Sequence, residues 1–275
     1  MKNKTNGDSK NIGDVRDMFG FTLFGKSKGV LLNLIESDMV KKRKIWIATV
    51  NPEFVMATTK DNEFLNILQS RTTYNVIDGI GLAWARLVES RKSKVERFVY
   101  GIKIGVEIMM GRHRENLIAG ADLMDDLCRM AEKNGQSVYF LGGWDDRGKK
   151  TAEFFLKKYP KLKIAGYYAG KREGEDEKII KMLAQKKIDY LFVAFAMKTQ
   201  EEFINRNLEK LNVGLVMGLG RSFDYYSGDL PRAPKWIRNI GFEWLFSLII
   251  EPKRWKRQLT LPKFIWMVLK NRPKI

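Results

Sequence analysis

Tyr74-Asn75-Val76-Ile77-Asp78-Gly79-Ile80-Gly81 climbs through a short apolar run to one carboxylate and then to two glycines. A periodic segment, residues 82–89, follows directly. The order predicts strand, tight loop and helix, with Asp78 at the carboxyl end of the strand. In parallel α/β sheets that end is where ligands are held. A carboxylate there can take a proton from a substrate, or it can bond its own loop as a turn residue. The eight residues leave both readings open.

Similar units lie on either side. Upstream, residues 44–50 form a buried-strand pattern closed by Asn51-Pro52-Glu53, which suits a helix start with Asn as cap and Pro in the first turn. One helix is expected from residue 54 to about 69. Downstream, strands are expected at 137–141, 164–168, 189–195 and 214–220, alternating with helices at 120–133, 145–158, 175–185 and from Thr199 onward. Alternation of this kind indicates an α/β fold, a Rossmann-like, mostly parallel sheet flanked by helices. Thr49, Asn51, Asp78, Gly142, Gln200, Gly220 and Asp224 all fall at or just beyond strand ends. If the strands are parallel, these residues share one rim. Gly142-Gly143 could admit a phosphate to backbone amides, or simply make a tight turn.

Of the 275 residues, 50 are Lys or Arg against 32 Asp or Glu, a formal charge of +18. That balance calls for an anionic partner: nucleic acid, a membrane surface or a phosphorylated substrate. The single Cys128 permits no internal disulfide, and the single His113 makes a His/Cys zinc site or a Ser-His-Asp triad a poor reading. No Asp-x-Asp pair suited to a metal is evident, so no metal and no cofactor is expected.

Three regions are expected: a flexible polar N-terminus (1–17), the α/β domain (18–231) and a basic helical C-terminal appendage (232–275). From Pro252 onward the chain has eight Lys/Arg and no Asp or Glu, with Trp255 and Trp266 among them. That composition suits an interfacial segment on an anionic leaflet. The expected location is cytoplasmic, peripheral on the inner face of the membrane. Residues 90–115 interleave cations with apolar residues and read either as an amphipathic insertion or as a loop over the site.

Asp78-Gly79-Ile80-Gly81, Thr49-x-Asn51-Pro52-Glu53, Gly220-x-Ser222-Phe223-Asp224, Arg232-Ala233-Pro234-Lys235-Trp236 and Glu251-Pro252-Lys253-Arg254-Trp255-Lys256-Arg257 occur in this order. Together they resemble the WecG/TagA/CpsF glycosyltransferase family over residues 19–270. The resemblance implies inverting transfer of a hexose or N-acetylhexosamine-type sugar from a UDP-sugar to a polyprenyl-diphosphate-linked sugar, in cell-surface polysaccharide synthesis; with no Asp-x-Asp pair, that transfer is expected to be metal-independent. It implies Asp78 as the base and Thr49, Asn51, Gln200 and Asp224 near the donor. It places Arg254 and Arg257 on the acceptor diphosphate. Asn116 and Ser247 stand where the family has arginines, Met197-Lys198-Thr199 replaces Ser-Pro-Lys, and Arg221 replaces a glycine. Arg112, Arg114, Lys198 and Arg221 are the cations at hand to compensate. A nucleic-acid-binding protein, and a catalytically impaired relative that still binds UDP-sugar, are the alternatives. No nucleic-acid motif supports the first. Oligomeric state is open, a homo-oligomer included.

Overall fold

The computed structural model describes residues 16–170 and 175–270. The flexible stretch expected at 1–17 lies almost wholly outside them. Strands β1 (Arg16–Met18) and β2 (Phe21–Leu23) form a small antiparallel pair. The main sheet holds β3 (Ile45–Val50), β4 (Tyr74–Ile77), β5 (Ser137–Gly142), β6 (Lys163–Tyr168), β7 (Ile188–Ala194) and β8 (Val213–Gly218). These six strands are all parallel, in the order β4-β3-β8-β7-β5-β6.

Period-two alternation divides the strand side chains between two cores. Trp46, Ala48, Val50, Leu191, Val193 and Val216 face one. Ile45, Ile47, Tyr190, Phe192, Leu215 and Met217 face the other. The first core is covered by α2 (Pro52–Thr58), α3 (Asn62–Asn66), α4 (Ile80–Val88), α8 (Asp176–Ala184) and α9 (Met197–Asn207). The second is covered by α1 (Lys28–Val40), α6 (Gly120–Lys133), α7 (Arg147–Lys158) and α10 (Ser222–Tyr226). Cys128 is a fully buried thiol in this second core.

The helix expected from 54 to 69 is broken. Thr59 ends α2, Asp61 caps α3 by accepting from the Phe64 amide at 3.0 Å, and a π turn spans Ile67–Arg71. Asp61 caps a helix better than it continues one, because its short side chain competes for backbone N–H groups. Residues 90–115 are mostly one helix, α5 (Lys94–Met109), opened by a capping box between Ser93 and Glu96. His113 lies in the loop that follows α5. It is half-buried, with Nε2 2.5 Å from Glu107 Oε2.

The tail forms α11 (Lys235–Asn239), α12 (Glu243–Ile250), α13 (Trp255–Gln258) and α14 (Thr260–Lys270). Helix α14 lies against α2, α4 and α5 and buries Phe264 and Val268 in the first core. Its packing makes the basic tail a wall of the main body as well as a charged segment.

Candidate active site

A cleft of about 310 Å³ opens over the carboxyl ends of β3, β4 and β8. Its floor comes from the strand ends and its far wall from the tail. Residues Thr49, Asn51, Asp78, Gln200, Gly220, Arg254 and Arg257 line it, so seven of the ten residues singled out in the sequence converge there.

Gly142, Gly143 and Asp224 do not line the cleft. Strand β5 is separated from β8 by β7, which carries the glycine pair away from the opening. The Gly143 amide donates to Ala194 O at 2.9 Å, continuing the ladder between β5 and β7. Asp224 is buried and accepts from Arg147 Nη1 at 2.6 Å, with Arg221 Nε 3.8 Å from its other oxygen. Burial raises its pKa and Arg147 opposes the rise.

Asp78 sits where the chain leaves β4. Its amide donates to Val50 O at 2.7 Å, and Gly79 at φ +93° turns the backbone into α4. A side chain at that φ would strain the turn. The carboxylate faces the cleft and is otherwise enclosed. One weak donor reaches it, the Gly120 amide at 3.4 Å from Oδ1. Burial, then the negative charge of Glu243, pushes its pKa up to about 7, against the Gly120 amide and Arg232. A carboxylate poised there is matched to proton abstraction near neutral pH.

Glu243 belongs to a charged cluster beside Asp78. Arg232 Nη1 bonds Asp122 Oδ1 at 2.6 Å and Arg232 Nε lies 3.7 Å from Glu243, while Arg238 Nη1 reaches Asp122 Oδ2 at 3.3 Å. Burial opposes ionisation of Asp122, but the arginines hold its pKa below the usual value. Glu243→Gln is expected to lower the acid limb of kcat/KM by about half a unit to one unit, because a charge that disfavours ionised Asp78 is gone. An acid limb that stays put would show that Asp78 does not set it.

Beneath the cleft a polar chain fixes Gln200. Glu201 accepts from Trp46 Nε1 at 2.9 Å and from Gln200 Nε2 at 3.1 Å, and Gln200 Oε1 accepts from the Gly220 amide at 2.8 Å. Burial pushes Glu201 up to about 8 against those two donors. Gly218 makes room for the chain: a Cβ there would stand 2.2 Å from Glu201 Oε1 and 2.5 Å from Gln200 Nε2. Thr49 and Asn51 are also engaged in the frame. Thr49 Oγ1 donates to Gly218 O at 3.0 Å, and Asn51 Oδ1 caps α2 by accepting from the Glu53 and Phe54 amides.

Three tail contacts hold the far wall. Arg257 makes a two-pronged pair with Glu53, Arg254 Nη1 bonds Glu251 Oε2 at 3.2 Å, and Arg221 Nη2 bonds the same Glu251 oxygen. Of the cations considered as replacements, Arg221 alone lines the cleft. Its Nε is buried without a hydrogen-bond partner. Arg114 is engaged with the Arg238 and Ile108 carbonyls, Lys198 with Asp61 and Glu202, and Arg112 lies 4.0 Å from Glu107.

The glycosyl transferase WecG/TagA/CpsF family model matches residues 16–104 and 100–275. The chain belongs to this family. It is a glycosyltransferase. It is 32 % identical over 226 residues to an N-acetylglucosaminyldiphosphoundecaprenol N-acetyl-beta-D-mannosaminyltransferase of Bacillus subtilis (strain 168), covering 82 % of this chain and 79 % of the relative. Proteins of the same name from Bacillus spizizenii and Staphylococcus aureus (strain MRSA252) are each 29 % identical; the alignments cover 82 % and 84 % of this chain and 79 % and 82 % of those relatives.

Arg232, Arg238 and Glu243 line the cleft but were not singled out from the sequence, nor was Asp122, which bonds both arginines without lining it. Asp122 lies 110 residues from Arg232 and 116 from Arg238, so no local pattern announces those two pairs. The available signals were the Arg232-Ala233-Pro234-Lys235-Trp236 motif and, for Asp122 and Glu243, the stretches Gly120-Ala121-Asp122-Leu123 and Gly241-Phe242-Glu243-Trp244.

Proposed function

We propose that this family member moves a hexose or N-acetylhexosamine-type sugar from a UDP-sugar onto a polyprenyl-diphosphate-linked sugar, with inversion. The carrying observation is Asp78, enclosed on the cleft floor with its pKa pushed up to about 7 and arginines across from it. Acceptor chemistry follows the relatives, whose names specify a sugar on diphosphoundecaprenol.

In the proposed reaction ionised Asp78 removes the proton from the acceptor hydroxyl. That oxygen attacks the anomeric carbon from the face opposite UDP. The bond from carbon to the phosphate oxygen breaks, and its electron pair leaves with UDP. Charge grows on the departing diphosphate, where fixed cations stabilise it most effectively. Arg254 and Arg257 meet the acceptor diphosphate. Arg221 faces the leaving group, positioned by its bond to Glu251, with Asp224 3.8 Å from its Nε. Thr49, Asn51, Gln200 and Gly220 shape the donor side.

A UDP-release assay across a donor panel, with a polyprenyl-diphosphate-linked N-acetylglucosamine acceptor, tests this. Release should require the acceptor, and a chelator should leave its rate unchanged. Absence of release with every donor would contradict the proposal.

A further inference from the structure

Helix α5 presents an uncovered apolar stripe. Val95, Phe98, Val99, Ile102, Val106 and Met109 are all exposed, from 46 % for Val106 to 74 % for Val95. At 100° per residue these six fall within an arc of about 100°, the width of a face that normally packs on something. The opposite face is already used: Arg97, Gly101, Ile104 and Ile108 are buried against the body. Gly101 approaches Trp84 of α4 and Leu269 of α14, so the stripe is the outer face of a firmly seated helix.

Charge surrounds the stripe. Lys94 and Lys103 project on its two flanks by helical spacing, and exposed Arg91, Lys92 and Arg112 stand at the ends of the helix. Of the two acidic residues on α5, Glu107 is engaged with His113 and near Lys103, and Glu96 closes the capping box. The neighbouring α14 carries Trp266, 64 % exposed, with the Lys270 ammonium 5.9 Å from its ring. The C-terminal end of α5 adjoins the cleft: Ile108 Cγ2 would be 3.5 Å from a Cβ at Gly241, which lines it.

We propose that α5 is an interfacial helix that seats the enzyme on an anionic lipid leaflet, apolar stripe down, with its lysines at headgroup level. Apolar side chains bordered on both flanks by cations match the layered chemistry of such a surface. A second copy fits less well. An isologous contact sets like patches together, and on a chain of +18 it would bring the flanking lysines face to face. Residues 1–15 offer only Met1, Ile12 and Val15 as large apolar side chains, too few to cover six. Docking stands on the helix itself. It rests on the proposed lipid-linked acceptor only for its purpose, bringing the cleft to the depth where the acceptor diphosphate lies.

The full chain is tested by flotation with phosphatidylglycerol–phosphatidylcholine vesicles and with pure phosphatidylcholine vesicles. Wild type should float with the former. Phe98→Glu with Ile102→Glu should reduce partitioning about 100-fold or more, since two charges replace the deepest apolar contacts. Lys94→Gln with Lys103→Gln should reduce it about 30-fold on anionic vesicles, roughly five-fold per cation. Both exposed-face variants should keep the melting temperature and the transfer rate on a short-chain, water-soluble acceptor diphosphate. Failure of wild type to float, or flotation of Phe98→Glu/Ile102→Glu at the wild-type level, would overturn the proposal. So would a wild-type dimer that becomes monomeric in that variant without loss of flotation, which would assign the stripe to a second copy. Loss of flotation in the variants supports docking even if no donor supports transfer on the soluble acceptor; that result would count against the reaction alone.

Discussion

Asp78→Asn is expected to fold and to lose sugar transfer by about 10³-fold, within the range that a positioned general base contributes. The amide fills the same space but cannot take the acceptor proton. The fold should gain from the change. Burial and Glu243 push the Asp78 pKa up to about 7, so the folded chain holds a proton that the unfolded chain releases near pH 4. Its contribution to stability is therefore complete below the unfolded value and is lost as pH rises through about 7. Neutral Asn escapes that loss. At pH 8 the variant should melt above wild type, by about 2–4 °C for each kcal/mol recovered, and the gap should close at pH 4. Turnover near the wild-type level would remove Asp78 as the base. A variant that melts lower at pH 8 would contradict the enclosed, charge-crowded carboxylate.

Replacing both Arg254 and Arg257 by Gln should raise the KM for the acceptor by about 10²–10³-fold with a much smaller change in kcat, because the acceptor diphosphate they meet keeps its charge through the reaction. The fold should survive. Arg257 and its partner Glu53 are both part-exposed, and such pairs contribute about 1 kcal/mol or less. Point variants are the right instrument because truncation before Pro252 would remove more than charge. It would pull Phe264 and Val268 out of the core, where a large apolar side chain is worth about 3–5 kcal/mol. An unchanged acceptor KM in the double variant, measured beside its melting temperature, would show that these arginines only fasten the tail.

Much of the fold is legible in the sequence because each central strand is buried on both faces and punctuated by a polar or small residue. The six-stranded sheet follows from 44–50, 74–77 and their downstream counterparts, and the structure makes all of it parallel. The break between α2 and α3 was missed because the apolar residues within 54–57 and 64–68 on either side keep one helical period across the polar residues 59–61, while Asp61 captures the Phe64 amide as a cap. Helix α5 stayed ambiguous because its period marks two faces at once, one packed and one exposed.

The site divides along another line. Asp78, Thr49, Asn51 and Gly220 were legible because each lies at or just past the end of a strand and the strands are parallel, and β3, β4 and β8 turn out to be neighbours; Gln200, on α9 after β7, joins them through the Gly220 amide. Gly142 ends, and Gly143 follows, a strand two places away from β8, a fact of topology that residue spacing does not contain. Asp224 belongs to the short helix after β8, and its carboxylate turns to Arg147 on α7. The Arg232–Asp122–Arg238 cluster depends on α6 meeting the start of the tail, which only the packed chain reveals. Arg221 stands out as a residue whose substitution in the family pattern is visible in sequence, but whose place in the cleft wall is not.

The most direct test is the pH dependence of kcat/KM for UDP release by the wild-type enzyme with a polyprenyl-diphosphate-linked sugar acceptor. The rate should rise tenfold per pH unit at low pH and level off above an apparent pKa of about 7, the ionisation of Asp78. A profile already flat from pH 5 upward would contradict a proton-accepting carboxylate in this cleft.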